Sequence, residues 1–230
     1  MIDPQFARPE HLNDPYLGAW YQQDAMTSQE AALVIDEVES SGSVEPIWDL
    51  PAGSTVNQTF RRLLIDFNRE HDFPRVEVLG QKLANMAIEG ARETFPRLQE
   101  FTVDEAAVQI YPAGTTLPLG WHKDHKDDKL MVISATLAGS GIIAFTEKRR
   151  YADATADDVI AEIATEPRSA VFFRAHGLYD RADGTDIRVA HAVTGIGADE
   201  DRFTIQYRMG VNAGAYGNTH VNAGRDLRAK

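Results

Sequence analysis

A chain of 230 residues, 43% of them hydrophobic, is long enough to bury one substantial core. It contains no cysteine, which excludes disulfides, thiolate metal sites and cysteine nucleophiles, so any metal must be held by His, Asp or Glu. The formal net charge is -12, and residues 1–60 carry Arg8 as their one base among ten acids, which weighs against a grip on phosphate backbones.

No apolar run approaches the roughly 18 residues of a membrane span. The opening Met1-Ile2-Asp3-Pro4 has no apolar signal core, so a soluble, cytoplasmic protein is expected. In the N-terminal third, Thr27-Ser28-Gln29-Glu30 has the pattern of a capping box. Ala31, Leu33, Val34, Ile35 and Val38 follow it as the apolar positions of a helix. Phe60, Leu63, Leu64 and Phe67 recur at helical spacing and predict a second helix over residues 59–69. Leu79, Leu83, Met86 and Ala87 predict a third over 76–93.

The character changes after Phe101. Short apolar runs of strand length follow at 107–111, 130–137, 141–145, 170–173, 187–193 and 203–209, separated by Gly, Pro and Asp. One short helix is expected among them, over 156–163. Helices first and many short strands later predict an α+β chain: a double-stranded β-helix, the cupin-like jelly roll, with an N-terminal helical buttress. Residues 1–100 would pack on a core of residues 101–210, all in one domain. The Gly/Asn-rich tail, residues 211–230, repeats Val-Asn-Ala-Gly twice.

Within the strand-rich part, Gly120-Trp121-His122-Lys123-Asp124 carries the first chemistry. Residues two apart on a strand point the same way, so His122 and Asp124 could hold adjacent corners of one metal. Leu117, Leu119 and Trp121 alternate before them, which would put the pair on the opposite face. His191, far downstream on another strand-like run, is the candidate third ligand. Two imidazoles and a carboxylate on one face of a metal, with the other positions open, are the ligand set of non-haem Fe(II) oxygenases. Two competitors exist: His125 repeats the His-Lys-Asp pattern one register later, and His176 follows another strand. A His-x-Asp alone also arises by chance in a chain with this many acids.

Residues 202–208 alternate cleanly. Arg202, Thr204, Gln206 and Arg208 share one face; Phe203, Ile205 and Tyr207 share the other. A polar strand face is usually just solvated. Two inward arginines with a hydroxyl and an amide between them would instead suit a dicarboxylate, because guanidinium binds carboxylate bidentately and keeps its charge.

Taken together, His122-x-Asp124, His191, Arg202 and Arg208 six positions later resemble the Fe(II)/2-oxoglutarate dioxygenases, in particular their AlkB-like branch. Gln109-Ile110-Tyr111-Pro112-Ala113-Gly114 is similar to the Asn-x-Tyr-x-Pro-Gly strand of that branch, with Gln for Asn. The likeness spans residues 109–208. It implies Fe(II) on His122, Asp124 and His191, with 2-oxoglutarate as co-substrate and O2 as oxidant. It also implies 2-oxoglutarate contacts from Arg202, Arg208, Tyr111, Gln109 and Thr204, and release of succinate and CO2. The acid at 124 implies C–H oxidation rather than halogenation. Thr204 stands where the branch carries Asn, and the acidic N-terminal third lacks a basic nucleotide lid. A small-molecule substrate is therefore expected, with Trp121, Lys123 and Asp128 as candidate contacts. An AlkB-like oxidative demethylase of nucleic acid is the alternative. Two further alternatives remain, a zinc metallohydrolase built on His122-Lys123-Asp124-His125 and a non-catalytic jelly-roll binding module.

Overall fold

The computed structural model describes residues 8–14, 17–45, 59–125, 127–178 and 188–210. The tail 211–230, Lys126 and the first residue of the strand expected over 187–193 lie outside them.

Among the described residues the order is β1 (Ala19–Gln22), α1 (Ser28–Ser40), β2 (Arg61–Asp66), α2 (Pro74–Ala91), β3 (Glu105–Tyr111), β4 (Thr116–His122), β5 (Asp128–Ala138), β6 (Gly141–Thr146), β7 (Ala161–Thr165), β8 (Ser169–Arg174), β9 (Ala190–Ile196) and β10 (Arg202–Gly210). The strands form a six-stranded sheet, β1-β8-β5-β10-β3-β2, and a four-stranded sheet, β4-β9-β6-β7. All pairings between these strands are antiparallel. This is a jelly roll buttressed by two helices.

Helix α1 starts as its sequence dictates. Thr27 Oγ1 accepts from the Glu30 backbone N–H at 3.1 Å, and Glu30 Oε2 accepts from Thr27 N–H at 2.7 Å. Glu30 also takes the Lys82 ammonium at 2.7 Å, tying α1 to α2. The helices cover the outer face of the six-stranded sheet. Val34, Val38, Val76, Leu79, Leu83 and Ala87 pack there with Leu63, Ile65, Val108, Ile133, Phe172, Ile205 and Tyr207. The Tyr207 hydroxyl donates to the Val76 carbonyl at 3.0 Å, and Gly80 lies flush against the Tyr207 ring.

Three expectations are corrected. Residues 59–69 are not a helix: Arg61–Asp66 form edge strand β2, antiparallel to β3. Residues 156–163 hold only a 3-10 turn, Ala156–Asp158, before β7 pairs with β6. The first hundred residues are more than a buttress, since β1 and β2 complete the two edges of the large sheet.

The inner face of the large sheet is apolar at one end and polar in the middle. Val132, Val171 and Phe173 meet Ile143 and Phe145 of the opposite sheet. Beside them Gln109, Ser134, Thr136, Arg202, Thr204 and Gln206 are all buried. Buried polar groups at this density are kept only where something answers them.

Candidate metal centre

His122 and His191 are cross-strand partners on β4 and β9, their ring centroids 4.4 Å apart. One ligand atom from each of His122, Asp124 and His191 lies within 4.8 Å of the others, and His191 Nε2 is 3.9 Å from Asp124 Oδ2. His125 is exposed and pairs with Asp127, and His176 is exposed at a bridge to Lys129; neither joins the cluster.

The strand does not place these ligands in the way simple alternation predicts. From the Leu119–Val193 pair to the His122–His191 pair, β4 runs three residues against two on β9, a bulge at Gly120-Trp121. The bulge puts Leu119 and His122 on the same inner face and turns Trp121 outward. There Trp121 packs with Ala144, Ala192, Tyr151, Ala154 and Val159, on the side of the sheet away from the metal cluster. It is not placed to touch a substrate at the metal. Asp124 lies beyond the end of β4, buried in the loop to β5, so its position owes nothing to strand parity.

Each histidine is oriented from behind. The Nδ1 position of His122 meets the Gly120 carbonyl at 2.8 Å, and that of His191 meets the Val189 carbonyl at 3.3 Å. With Nδ1 donating to the main chain, Nε2 is left as the lone-pair nitrogen for a metal. Burial, and next the neighbouring His191, push His122 down to about 4, so the ring is neutral near pH 7 as ligation requires. Phe173 stacks on His191 at 4.6 Å and 15° and closes the apolar side.

Arg202 is 1% exposed on the inner face of β10. It donates to Thr136 Oγ1 at 3.1 Å and lies 5.5 Å from the centre of the Tyr111 ring, while its Nε has no hydrogen-bond partner. Burial pulls it down to about 10, still a cation at neutral pH, and no carboxylate among the described residues pairs with it. Gly141 makes room for it: a Cβ there would lie 2.8 Å from Arg202 Cδ. Arg208, by contrast, is engaged by Glu105 at 3.4 Å and by Gln206. Tyr111 donates to Gln109 Oε1 at 2.8 Å, and Thr204 to the Gln109 carbonyl at 3.2 Å. These three residues line the same interior through one another. Lys123 reaches toward the Tyr151 ring, 6.0 Å from its centre, and buried Asp128 accepts from the His125 N–H at 3.1 Å. The Asp128 contact braces the ligand loop. Thr136, Phe173 and the carbonyls of Gly120 and Val189 have no local sequence signal; they become visible only once strand pairing is known.

The donor set fits a divalent metal that prefers nitrogen and oxygen ligands and keeps open positions, as Fe(II) does. The orphaned Nε of buried, cationic Arg202 fits the far carboxylate of a dicarboxylate.

No protein-family model matches the chain, and no curated protein matches its sequence. Solved structures do. A Pseudomonas putida prolyl-4-hydroxylase aligns over 90% of this chain and 98% of its own, at 16% identity and a TM-score of 0.52. OsALKBH1 aligns over 84% and 98%, at 13% identity and a TM-score of 0.56. A Trichoplax adhaerens prolyl hydroxylase, solved with a hypoxia inducible factor peptide fragment, aligns over 89% and 88%, at 11% identity and a TM-score of 0.54. The chain shares the fold of these prolyl hydroxylases and of OsALKBH1. Prolyl hydroxylases and an AlkB homologue match about equally well, so the fold does not select a branch.

Proposed function

We propose that this protein is a non-haem Fe(II)- and 2-oxoglutarate-dependent oxygenase that oxidises a C–H bond of a small molecule and releases succinate and CO2. The observation that carries this reading is one interior holding both parts of the requirement. His122, Asp124 and His191 bring their ligand atoms within 4.8 Å of one another, and Arg202 is a buried cation with no carboxylate partner among the described residues. Bound Fe(II) would supply the oxygen activation that side chains cannot.

The protein's own groups bind, orient and exclude water. His122, Asp124 and His191 would hold the metal, their rings fixed by main-chain carbonyls. Arg202 would take the distal carboxylate of 2-oxoglutarate, with Thr136 steering the guanidinium. Tyr111 covers one face of that guanidinium, and burial holds its phenol well above the usual range, so it stays a neutral donor. Phe173, Phe145 and Val132 keep one side of the site dry, which strengthens each polar contact within it.

The small-molecule class rests on charge. Among the basic clusters of the chain, Lys148 is bound to Asp158 at 2.8 Å and to the Asp153 carbonyl at 3.0 Å, so it serves its own loop. The test is succinate formation from 2-oxoglutarate with added Fe(II) and O2, then a screen of small molecules and of a methylated oligonucleotide for stimulation. Stimulation by small molecules alone supports the reading. Efficient demethylation of the oligonucleotide would replace it with the nucleic-acid one.

A further inference from the structure

Of the three candidate ligands, two sit on paired strands and one does not. His122 and His191 are held by the β4–β9 ladder. Asp124 comes two residues after β4 has ended, where no ladder fixes the chain. Its carboxylate must nevertheless face the histidines to within a fraction of an ångström for a metal to prefer this site.

What meets the Asp124 main chain is Arg188. Its guanidinium donates from Nη1 to the Asp124 carbonyl at 2.6 Å, spanning from the residues just before β9 to the loop after β4. A charged donor at that distance makes one of the stronger hydrogen bonds available to a carbonyl. The neighbouring residue, Val189, supplies the carbonyl that orients His191. Residues 188 and 189 thus set two of the three ligands at once: Val189 the ring of His191, Arg188 the backbone of Asp124. On the far side of Asp124, the buried Asp128 carboxylate accepts from the His125 N–H at 3.1 Å. The loop is pinned on both sides of the ligand, once by a cation and once by an anion.

We infer that Arg188 is a positioning residue for the metal: it holds the Asp124 loop against β9 and thereby sets the affinity of the His-Asp-His cluster. This rests on the proposed metal centre. Removal of a group that orients a ligand typically costs 10- to 100-fold in metal affinity.

The experiment titrates metal-free protein with Mn(II) under anaerobic conditions, reading unbound Mn(II) by electron paramagnetic resonance. Thermal unfolding of each variant is measured alongside. Arg188→Met, which keeps much of the side-chain volume without the donors, is expected to weaken Mn(II) binding by roughly 10-fold or more. Arg188→Lys restores part of it. At saturating metal, the 2-oxoglutarate KM stays at the parent value in both variants, because Arg202 is untouched. Parent-like Mn(II) affinity in Arg188→Met overturns the inference while leaving the metal centre standing. A loss in both variants that follows loss of fold overturns it too, assigning Arg188 to general stability. Absence of Mn(II) binding in the parent protein removes the metal centre and this inference together.

Discussion

Arg202 is the residue on which co-substrate binding should turn. Truncating one partner of a buried charge pair costs roughly 2–5 kcal/mol, much of it from the stranded charge. Arg202→Ala is therefore expected to raise the 2-oxoglutarate requirement by a factor on the order of 30 to several thousand, read from steady-state KM. An unchanged KM would remove the arginine from the site. Gly141→Ala probes the same contact without touching the charge. The new Cβ would lie 2.8 Å from Arg202 Cδ and 3.1 Å from the Gly195 carbonyl, so Arg202 must shift. The expected outcome is a raised 2-oxoglutarate KM with the metal affinity kept; a parent-like KM would mean the cradle is looser than its geometry. Arg208→Ala should move that KM less and lower thermal stability, because it leaves buried Glu105 without its ion pair. His125→Ala and His176→Ala lie outside the cluster and should keep succinate formation; its loss in His176→Ala alone would reopen the assignment of the distal ligand.

At the scale of elements, α2 packs closely on the large sheet. Alanine in a helix is favoured over glycine by about 1 kcal/mol. At Gly80, however, a Cβ would sit 2.6 Å from two atoms of the Tyr207 ring, whose hydroxyl is anchored on Val76. Overpacking of that kind costs about 1–3 kcal/mol, so Gly80→Ala should be net destabilising in urea unfolding, and a stabilised variant would refute the junction. The segment over Trp121 is held differently. Asp158 Oδ2 accepts from Lys148 and from the Thr155 N–H and hydroxyl at 2.8–2.9 Å, and these bonds, Lys148 first, hold its carboxyl down at about 2. A depressed carboxyl stabilises the folded state above its ordinary range near 4 and loses that contribution as the pH falls toward 2. Asp158→Asn should therefore lower the urea midpoint near pH 6, with the gap to the parent closing between about pH 4 and 2. A gap independent of pH would dismiss the carboxylate. The strands β3, β5, β6, β8, β9 and β10 were readable because their apolar runs are bounded by Gly, Pro or Asp; β7, expected as part of a short helix, and β2 were not. In β2, Leu63 and Ile65 are buried under the helices while Leu64 on the other face is only half-buried, so its apolar residues run together instead of alternating with polar ones. Phe60 and Phe67 just outside it completed a helical spacing by coincidence. The ligand motif was readable as chemistry, and its geometry was not. The bulge at Gly120-Trp121 breaks alternation, Asp124 sits past the strand, and Trp121, next to a ligand in sequence, faces the other way.

The whole molecule is an acidic jelly roll with a polar interior, and these two properties divide the functional question. The interior, with its His-Asp-His cluster and buried Arg202, argues for the oxygenase chemistry. The net charge of -12 argues about what can approach it. Binding to single- or double-stranded oligonucleotides near physiological salt should be weak or absent, as read by fluorescence anisotropy, and tight salt-resistant binding would contradict the small-molecule reading. The central claim is met most directly by one anaerobic absorption experiment on metal-free protein given Fe(II) and then 2-oxoglutarate. The parent should develop a visible charge-transfer band only when both are present. His122→Ala, Asp124→Ala and His191→Ala should each fail to develop it while remaining folded. A parent protein that gives no band and forms no succinate in air, or a band that persists in all three variants, would contradict the assignment of this site.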